Sequence, residues 1–335
     1  MLTPDLQTAI VTDANLAPSV HNTQPARWRF SANGIEIWAD QKRFLAVGDP
    51  LLHDAALSCG AALEGTVMAL AERGLKAVQV QDLWSDETTS ADGLRLCARL
   101  QVEDGASPHA LNAFIRQRFT WRGAFHPAAS RHLDQFERAI ASLGVCTVIR
   151  SPADIEWLAD VNDDLSLKFF SDKAYRDELR FWMRLSRAHP EWDVDGLSAE
   201  AMQMSAFEAT GARVALASPV FEMLKAIGVA RSLISERSKT RSASGIVLFH
   251  TPIDVSPVDA GRSFYRMWLE LTRASLAAWP MAVVADDPGS NSACQARFAI
   301  PQDHRLINLL RVGTCEKPSA RPDTARLPVD KLIVA

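Results

Sequence analysis

A short polar segment near the N-terminus carries side chains suited to binding a flat heterocycle. Ser19, Asn22 and Gln24 stand between two prolines, Pro18 and Pro25. Each proline fixes its own φ and favours extended geometry in the residue before it, so we expect a rigid turn. The amides each offer a donor and an acceptor, and the serine hydroxyl can do either. The same residue types are also common in ordinary turns that end helices.

His21 lies inside this segment and could reach a bound ring or a substrate. A histidine that is merely structural or bonded to solvent is the commoner case. The residue types therefore indicate a binding loop but assign no general acid or base.

A basic cluster follows about a hundred residues later. Arg118, Thr120 and Arg122 alternate with two aromatic residues shortly before a predicted amphipathic helix. The guanidinium group is a planar fork of donors that suits phosphate oxygens, and the threonine hydroxyl adds a donor. A solvated basic surface would explain so short a cluster equally well.

Three segments of the chain together resemble the nitroreductase family. The family's flavin loop corresponds here to Ala17-Pro18-Ser19-x-x-Asn22-x-Gln24-Pro25. Its Arg-x-Ser-x-Arg phosphate site corresponds to Arg118-x-Thr120-x-Arg122, and its C-terminal basic-x-Arg-Leu-Pro motif corresponds to Thr324-Ala325-Arg326-Leu327-Pro328. The chain departs from the pattern at Ala26, where Trp is usual, and at Thr324, where a basic residue is frequent.

The resemblance implies a bound FMN and a set of residues around it. In the family, FMN lies at a dimer interface and draws its contacts from both subunits. Carried over to this chain, the ring contacts are Pro18, Ser19, His21, Asn22 and Gln24, the phosphate contacts are Arg118, Thr120, Arg122 and Arg326, and the backbone near the reactive edge is that of Pro280 and Met281. No metal site is implied.

The order of predicted elements favours two divergent copies of one α+β unit. In the first half we predict a helix from Thr3-Pro4, a hairpin of residues 26–30 and 35–39 with an Asn33-Gly34 turn, a helix over 52–73, and strands over 75–83 and 93–102. In the second half we predict a helix over 130–143, a strand over 145–150, a segment over 155–160 matching 35–40, a helix over 260–278, and strands over 281–286, 296–299 and 331–334.

These halves imply a fused, intramolecular pseudodimer similar to the Acg-type branch of the family. We expect a first nitroreductase-like half over residues 1–110 and a second over 111–335, with a helical insertion over about 164–244. The insertion could form a lid over the flavin or an arm that grips the other half. Only the first copy carries the polar loop, and only the second carries the arginines, so the resemblance implies one FMN per chain.

By resemblance, the chain is an oxidoreductase that uses NAD(P)H and FMN to reduce nitroaromatics, quinones or similar electron-poor small molecules. Catalysis would then belong to the flavin, with no catalytic side chain. Two other functions stay open: a flavin storage protein whose lid covers FMN with little turnover, and an interaction module that has lost FMN.

Composition places the chain among folded proteins and disfavours several function classes. Of its 335 residues, 47% are hydrophobic and 23% are charged, and the formal charge is −4, which does not suggest a nucleic-acid-binding protein. No secretory signal, membrane-spanning run, short-spaced cysteine pair, dinucleotide fingerprint or common hydrolase motif is apparent. We therefore expect a cytoplasmic protein with no membrane partner, monomeric as a pseudodimer or further dimerised.

Overall fold

The first half of the chain folds into one α+β unit. The computed structural model describes residues 2–32, 34–316 and 325–334. In chain order, the first elements are α1 (Pro4–Ala14), β1 (Ala26–Phe30), β2 (Gly34–Asp40), α2 (His53–Ala71), β3 (Leu75–Asp82), β4 (Leu94–Asp104) and the short α3 (Asn112–Ile115). The strands pair antiparallel in the order β1–β2–β4–β3.

Local signals in the sequence account for this half, and the predicted elements are confirmed. Thr3 caps α1, with its hydroxyl oxygen accepting the Leu6 N–H, and Pro4 stands in the first turn, where no N–H is needed. β1 and β2 form the predicted hairpin, with Phe30 opposite Ile35. The turn residue Asn33 lies outside the described residues.

The second half repeats the arrangement around a large insertion. It begins with α4 (Ser130–Ile140) and β5 (Cys146–Ile149). The insertion contains α5 (Pro152–Ser171), α6 (Lys173–Trp182), β6 (Met183–Arg184), β7 (Leu197–Ser198), α7 (Ala206–Ala215), α8 (Ser218–Ala226), α9 (Ala230–Ile234) and α10 (Arg237–Arg241). The unit continues with β8 (Gly245–Pro252), α11 (Pro257–Arg273), β9 (Ala277–Pro280), α12 (Ala282–Asp286), α13 (Pro288–Arg297) and β10 (His304–Gly313).

The two sheets have the same topology, which confirms the α+β fold with two tandem copies. The second sheet is antiparallel in the order β5–β8–β10–β9, and it matches the first when β5, β8, β9 and β10 take the places of β1, β2, β3 and β4. The helices α1 and α2 correspond to α4 and α11. The division of the chain at residue 110 stays a prediction.

The predicted match between residues 155–160 and the strand at 35–40 is wrong. Residues 155–160 lie in α5, where Ile155, Leu158 and Ala159 are buried at helical spacing and Pro152 stands in the first turn. The true counterpart of β2 is β8. The extra elements therefore begin with α5, before residue 164.

Four later assignments also need correction. The helix predicted to reach residue 278 ends at Arg273, because the next residues form β9. Two ranges predicted as strands are helical instead: residues 281–286 belong to α12 and its N-cap, and residues 296–299 contain the end of α13 and the two residues after it. Asp287 caps α13 by accepting the Ser290 N–H at 3.0 Å. Residues 331–334 form no strand: Ile333 makes a single parallel bridge with Trp28.

The two halves meet where α2 crosses α11. Gly60 and Gly261 face each other at the crossing, and their lack of side chains lets the backbones touch. A Cβ on Gly60 would lie 2.0 Å from the Val258 carbonyl oxygen, and one on Gly261 would lie 2.2 Å from that of Leu57. Only glycine fits such a crossing.

A buried carboxylate joins the same two helices. Glu64 of α2 is 1% exposed and accepts hydrogen bonds from two arginines of α11, Arg266 at 2.6 Å and Arg262 at 3.1 Å. Removing either side of such a network leaves a charge without compensation.

Among the described residues, no helix has both the length and the apolar character to cross a bilayer.

We predict that Gly60→Ala lowers the free energy of unfolding by about 3 kcal/mol, because its methyl group would collide with the backbone of α11. The matched control is Gly211→Ala in α7, where an added Cβ would meet no atom within 4 Å. That variant should be neutral or stabilised by about 0.5–1 kcal/mol. Urea unfolding of both variants measures the difference, and equal stabilities would contradict the proposed crossing.

Candidate functional site

One cavity lies where the first half, the second half and the insertion come together. Its lining contains every site residue expected from the sequence except Gln24: Pro18, Ser19, His21, Asn22, Arg118, Thr120, Arg122, Pro280, Met281 and Arg326. The loop comes from the first half and the arginines from the second. The fold therefore brings together segments that are about a hundred or more residues apart.

The polar loop is held in an uncommon backbone conformation. His21, Asn22 and Gln24 have φ values of 44°, 55° and 51°, in the left-handed region that side chains other than glycine rarely adopt. Such a conformation persists only where surrounding contacts enforce it. Here the Ser19 hydroxyl accepts the Gln24 N–H at 3.0 Å, and the Asn22 amide donates to the Ala325 carbonyl at 3.2 Å.

Gln24 supports the loop instead of lining the cavity. Its side chain is buried, and its nitrogen donates to the Val194 carbonyl at 2.9 Å and the Asn22 carbonyl at 3.3 Å. Its oxygen accepts the Leu327 N–H at 2.8 Å and the Asn15 amide at 3.1 Å. Both donors and both acceptor positions are thus used within the protein.

Two arginines from distant parts of the second half meet at the end of α1. Arg118 is 2% exposed, stacks on the Trp268 ring at 4.9 Å, and donates to the Leu16 carbonyl at 3.4 Å. Arg326 also donates to Leu16 at 3.4 Å and to Asn15 at 2.7 Å. Their shared carbonyl brings the two guanidinium groups close together at the cavity wall.

The other members of the basic cluster lie nearby. Arg122 donates to the Ala201 carbonyl of the insertion at 3.1 Å, and the Thr120 backbone forms a bridge with Ala278. Thr324, which stands where the family often has a basic residue, lies outside the described residues.

His21 is a neutral hydrogen-bonding group of the wall. Burial, and to a smaller extent the nearby Arg122, lowers the pKa of His21 to about 4. At pH 7 the ring is therefore uncharged. Its Nδ1 is buried and has no hydrogen-bond partner in the part of the chain that the structure describes.

The insertion both covers the cavity and grips the first half. Phe170 and Tyr175 line the cavity wall, although the sequence indicated only ordinary helical packing for most of the insertion's aromatics. The Glu178 carboxylate accepts the N–H groups of Val47 at 3.1 Å and Gly48 at 2.7 Å. The insertion thus grips the first half as an arm would and also forms part of the cavity wall; its action as a lid over a flavin stays a prediction.

A second clamp joins the insertion directly to the polar loop. Asp195 is 3% exposed and pairs with Arg184 at 2.6 Å and with Arg43 of the first half at 2.9 Å. Arg43 also donates to the Thr23 carbonyl at 2.7 Å, and the Gly196 N–H donates to Asn22 at 3.3 Å.

Several lining residues were missed by the sequence analysis. Asn162 and Ser166 stand with Phe170 at four-residue spacing on α5, and this periodicity was the available signal. No sequence pattern pointed to Asp54 or Asn308, because only the tertiary fold places them at the cavity wall. Burial and the neighbouring Asp49 raise the pKa of Asp54 to about 7.

The chain is similar in sequence to nitroreductases of Mycobacterium tuberculosis (strain H37Rv). It is 30% identical over 183 residues, 53% of this chain, to a protein provisionally named NAD(P)H nitroreductase Rv3131, and it spans 52% of that relative, about half its length. It is 36% identical over 77 residues, 23% of each chain, to the provisionally named NAD(P)H nitroreductase Acg. These relatives support a nitroreductase-like family. No family profile matches the chain.

Solved nitroreductase structures overlap the chain only loosely. The FMN- and NADPH-dependent nitroreductase NfnB of a Sphigopyxis strain is 16% identical and has a TM-score of 0.35, covering 68% of this chain and 99% of its own. NfnB of Mycobacterium smegmatis, solved with NADPH, is 13% identical with a TM-score of 0.31, covering 64% and 91%.

We predict that Asp195→Ala lowers the free energy of unfolding by about 3 kcal/mol, because it leaves Arg184 buried without its counter-charge. Backbone amides of residues 20–24 should also exchange with solvent faster. The control is Asp193→Ala, which removes an exposed carboxylate two residues away and should change stability by less than about 0.5 kcal/mol. Equal effects of the two variants would contradict the clamp.

Proposed function

We propose that this chain is an FMN-dependent oxidoreductase of the nitroreductase type. It would take electrons from NAD(P)H and reduce nitroaromatics, quinones or similar electron-poor small molecules. The observation that carries the proposal is that the loop of one half and the arginines of the other converge on a single cavity. The sequence relatives support the same activity.

The basic end of the cavity fits the phosphate of FMN. Arg118 and Arg326 donate to one carbonyl oxygen, so a phosphate dianion beside them would accept charge-assisted hydrogen bonds from both. Arg122 and the Thr120 hydroxyl would add further donors at the same end.

The loop and β10 fit the edge of the flavin ring. Ser19, Asn22 and the neutral His21 offer donors and acceptors beside the wall that Pro18 forms. Asn308 is 6% exposed, and its Oδ1 has no hydrogen-bond partner within the described ranges. A buried acceptor left unmet costs about 1–3 kcal/mol, which a ring N–H would recover.

The segment at Pro280 and Met281 would form the wall near the reactive edge. Proline has no N–H, and the Met281 N–H already donates to the Leu309 carbonyl at 2.7 Å. If an N–H of this segment binds the flavin, we therefore assign it to Ala282, the next residue of the lining.

The protein's own share of the reaction is binding, orientation and exclusion of water. FMN supplies the hydride chemistry when it is bound. The loop and arginines hold it, and the insertion shields the cavity with Phe170, Tyr175 and Leu179. We assign no side chain as general acid or base.

One complete site per chain follows from how these parts are distributed. Where the second copy would carry its own loop, at the start of β5, the sequence reads Leu143-Gly144-Val145-Cys146, with none of the polar side chains of the first loop. The pseudodimer would therefore hold one FMN. The cytoplasmic location, the absence of a nucleic-acid or membrane partner, and the state of further association stay predictions.

Flavin storage is the second candidate function. The observation that favours it is the insertion, which contributes a large part of the cavity wall and could restrict access to the flavin. Anaerobic addition of NADPH separates the two functions: an oxidoreductase loses its flavin absorbance, whereas a storage protein loses it only with dithionite.

We predict that Arg118→Ala with Arg122→Ala gives a folded but colourless protein. Each charge-assisted bond contributes roughly 1.5–3 kcal/mol, so FMN affinity should fall by about two to four orders of magnitude. Flavin fluorescence measures the affinity, and circular dichroism verifies the fold. Arg116→Ala, an exposed arginine in the same segment, is the control and should keep its flavin. Full flavin in the double variant would overturn the phosphate site.

A further inference from the structure

The insertion presents a polar and aromatic strip to one end of the cavity. Asn162, Ser166 and Phe170 stand on successive turns of α5 and line the same wall. Residues four apart lie on one face of a helix, so these three side chains form one strip along α5. Tyr175 of α6 continues it.

Asn162 is the unexplained residue of this strip. It is 1% exposed, and its Nδ2 has no hydrogen-bond partner among the residues described. Two other amide nitrogens do have partners: that of Asn15 donates to Gln24 at 3.1 Å, and that of Asn291 donates to two carbonyls at 2.7 and 3.0 Å. A buried donor that lines a cavity and is left unmet is a group that a ligand oxygen can satisfy.

Negative charge is disfavoured where Asp54 and Tyr175 line the cavity. Burial and the neighbouring Asp49 raise the pKa of Asp54 to about 7, and burial, Asp54 and Asp49 raise the pKa of Asp286. Burial, Asp286, Asp54 and Glu178 likewise raise the pKa of the Tyr175 hydroxyl. An anionic ligand would meet the same penalty, whereas an uncharged one would not.

We propose that this end of the cavity is the subsite of the electron acceptor and that Asn162 determines its specificity. The Asn162 Nδ2 donates a hydrogen bond to a nitro or carbonyl oxygen of a planar, uncharged acceptor that lies against Phe170. The buried surroundings of Asp54 select against acceptors that carry a negative charge. This inference rests on the proposed function, because it names the substrate class of the same site.

Equilibrium binding of two matched probes tests the inference without turnover. p-Nitrobenzyl alcohol and p-nitrobenzoate share the nitro-substituted ring and differ in charge, and isothermal titration calorimetry measures their affinity for the protein as purified. Three variants are compared with the wild type. Asn162→Leu roughly keeps the side-chain volume but removes the hydrogen-bond donor. Asn162→Asp replaces the donor with a second acceptor oxygen, and Asn112→Leu is the control.

Asn112 is a matched control because it also carries a buried amide atom without a hydrogen-bond partner in the described chain, yet it lies outside the cavity. We expect the wild type to bind the alcohol at least about tenfold more tightly than the benzoate. Asn162→Leu and Asn162→Asp should each weaken binding of the alcohol about tenfold or more, the usual effect of one buried hydrogen bond. Asn112→Leu should bind as the wild type does.

Flavin content, measured on the same samples, separates this inference from the proposed function. Full flavin with unchanged alcohol binding in both Asn162 variants would overturn the inference and leave the oxidoreductase standing. Loss of alcohol binding at Asn162 in a chain that never takes up FMN would leave a ligand subsite there but overturn its role for an electron acceptor together with the oxidoreductase. An equal loss in Asn112→Leu, or tighter binding of the benzoate, would also overturn the inference.

Discussion

The crossing of α2 and α11 at Gly60 and Gly261 is the contact on which the rest of the structure depends. It allows two helix backbones to touch, and Glu64 ties them with two arginines from the opposite helix. This crossing fixes how one half of the chain lies against the other. The cavity needs that fixed relation, because its polar loop belongs to the first half and its basic cluster to the second. A looser crossing would separate the two parts of the proposed flavin site.

The insertion adds a second constraint at the same place. Its Asp195 pairs with Arg184 of the insertion and with Arg43 of the first half, and its Val194 and Gly196 backbones bond to Gln24 and Asn22. These contacts support a loop whose left-handed residues would otherwise relax toward commoner geometry. The insertion also lines the cavity, so the segment that holds the loop in shape is also the segment that limits access to it. Cofactor retention and substrate access are thereby coupled in one element.

Sequence was a good guide wherever local chemistry decides the structure. The cap at Thr3, the hairpin and the long helix with its central glycine follow from short patterns. Residues 155–160 were wrongly matched to the strand at 35–40 because the two sequences are similar. Their buried positions follow the period of a helix, and they lie in α5. The supporting role of Gln24 could not be predicted from its motif, since its hydrogen-bond partners Val194 and Leu327 are 170 and 303 residues away. Asp54 and Asn308 entered the site only through the tertiary fold.

The central claim is that two unlike halves build one composite flavin site, and the stoichiometry of bound flavin tests it most directly. The protein is saturated with FMN, freed of excess, denatured, and the released flavin is measured per chain. The account predicts one FMN per chain. Two would contradict the division of loop and arginines between the halves, and none after saturation would contradict the flavin site itself.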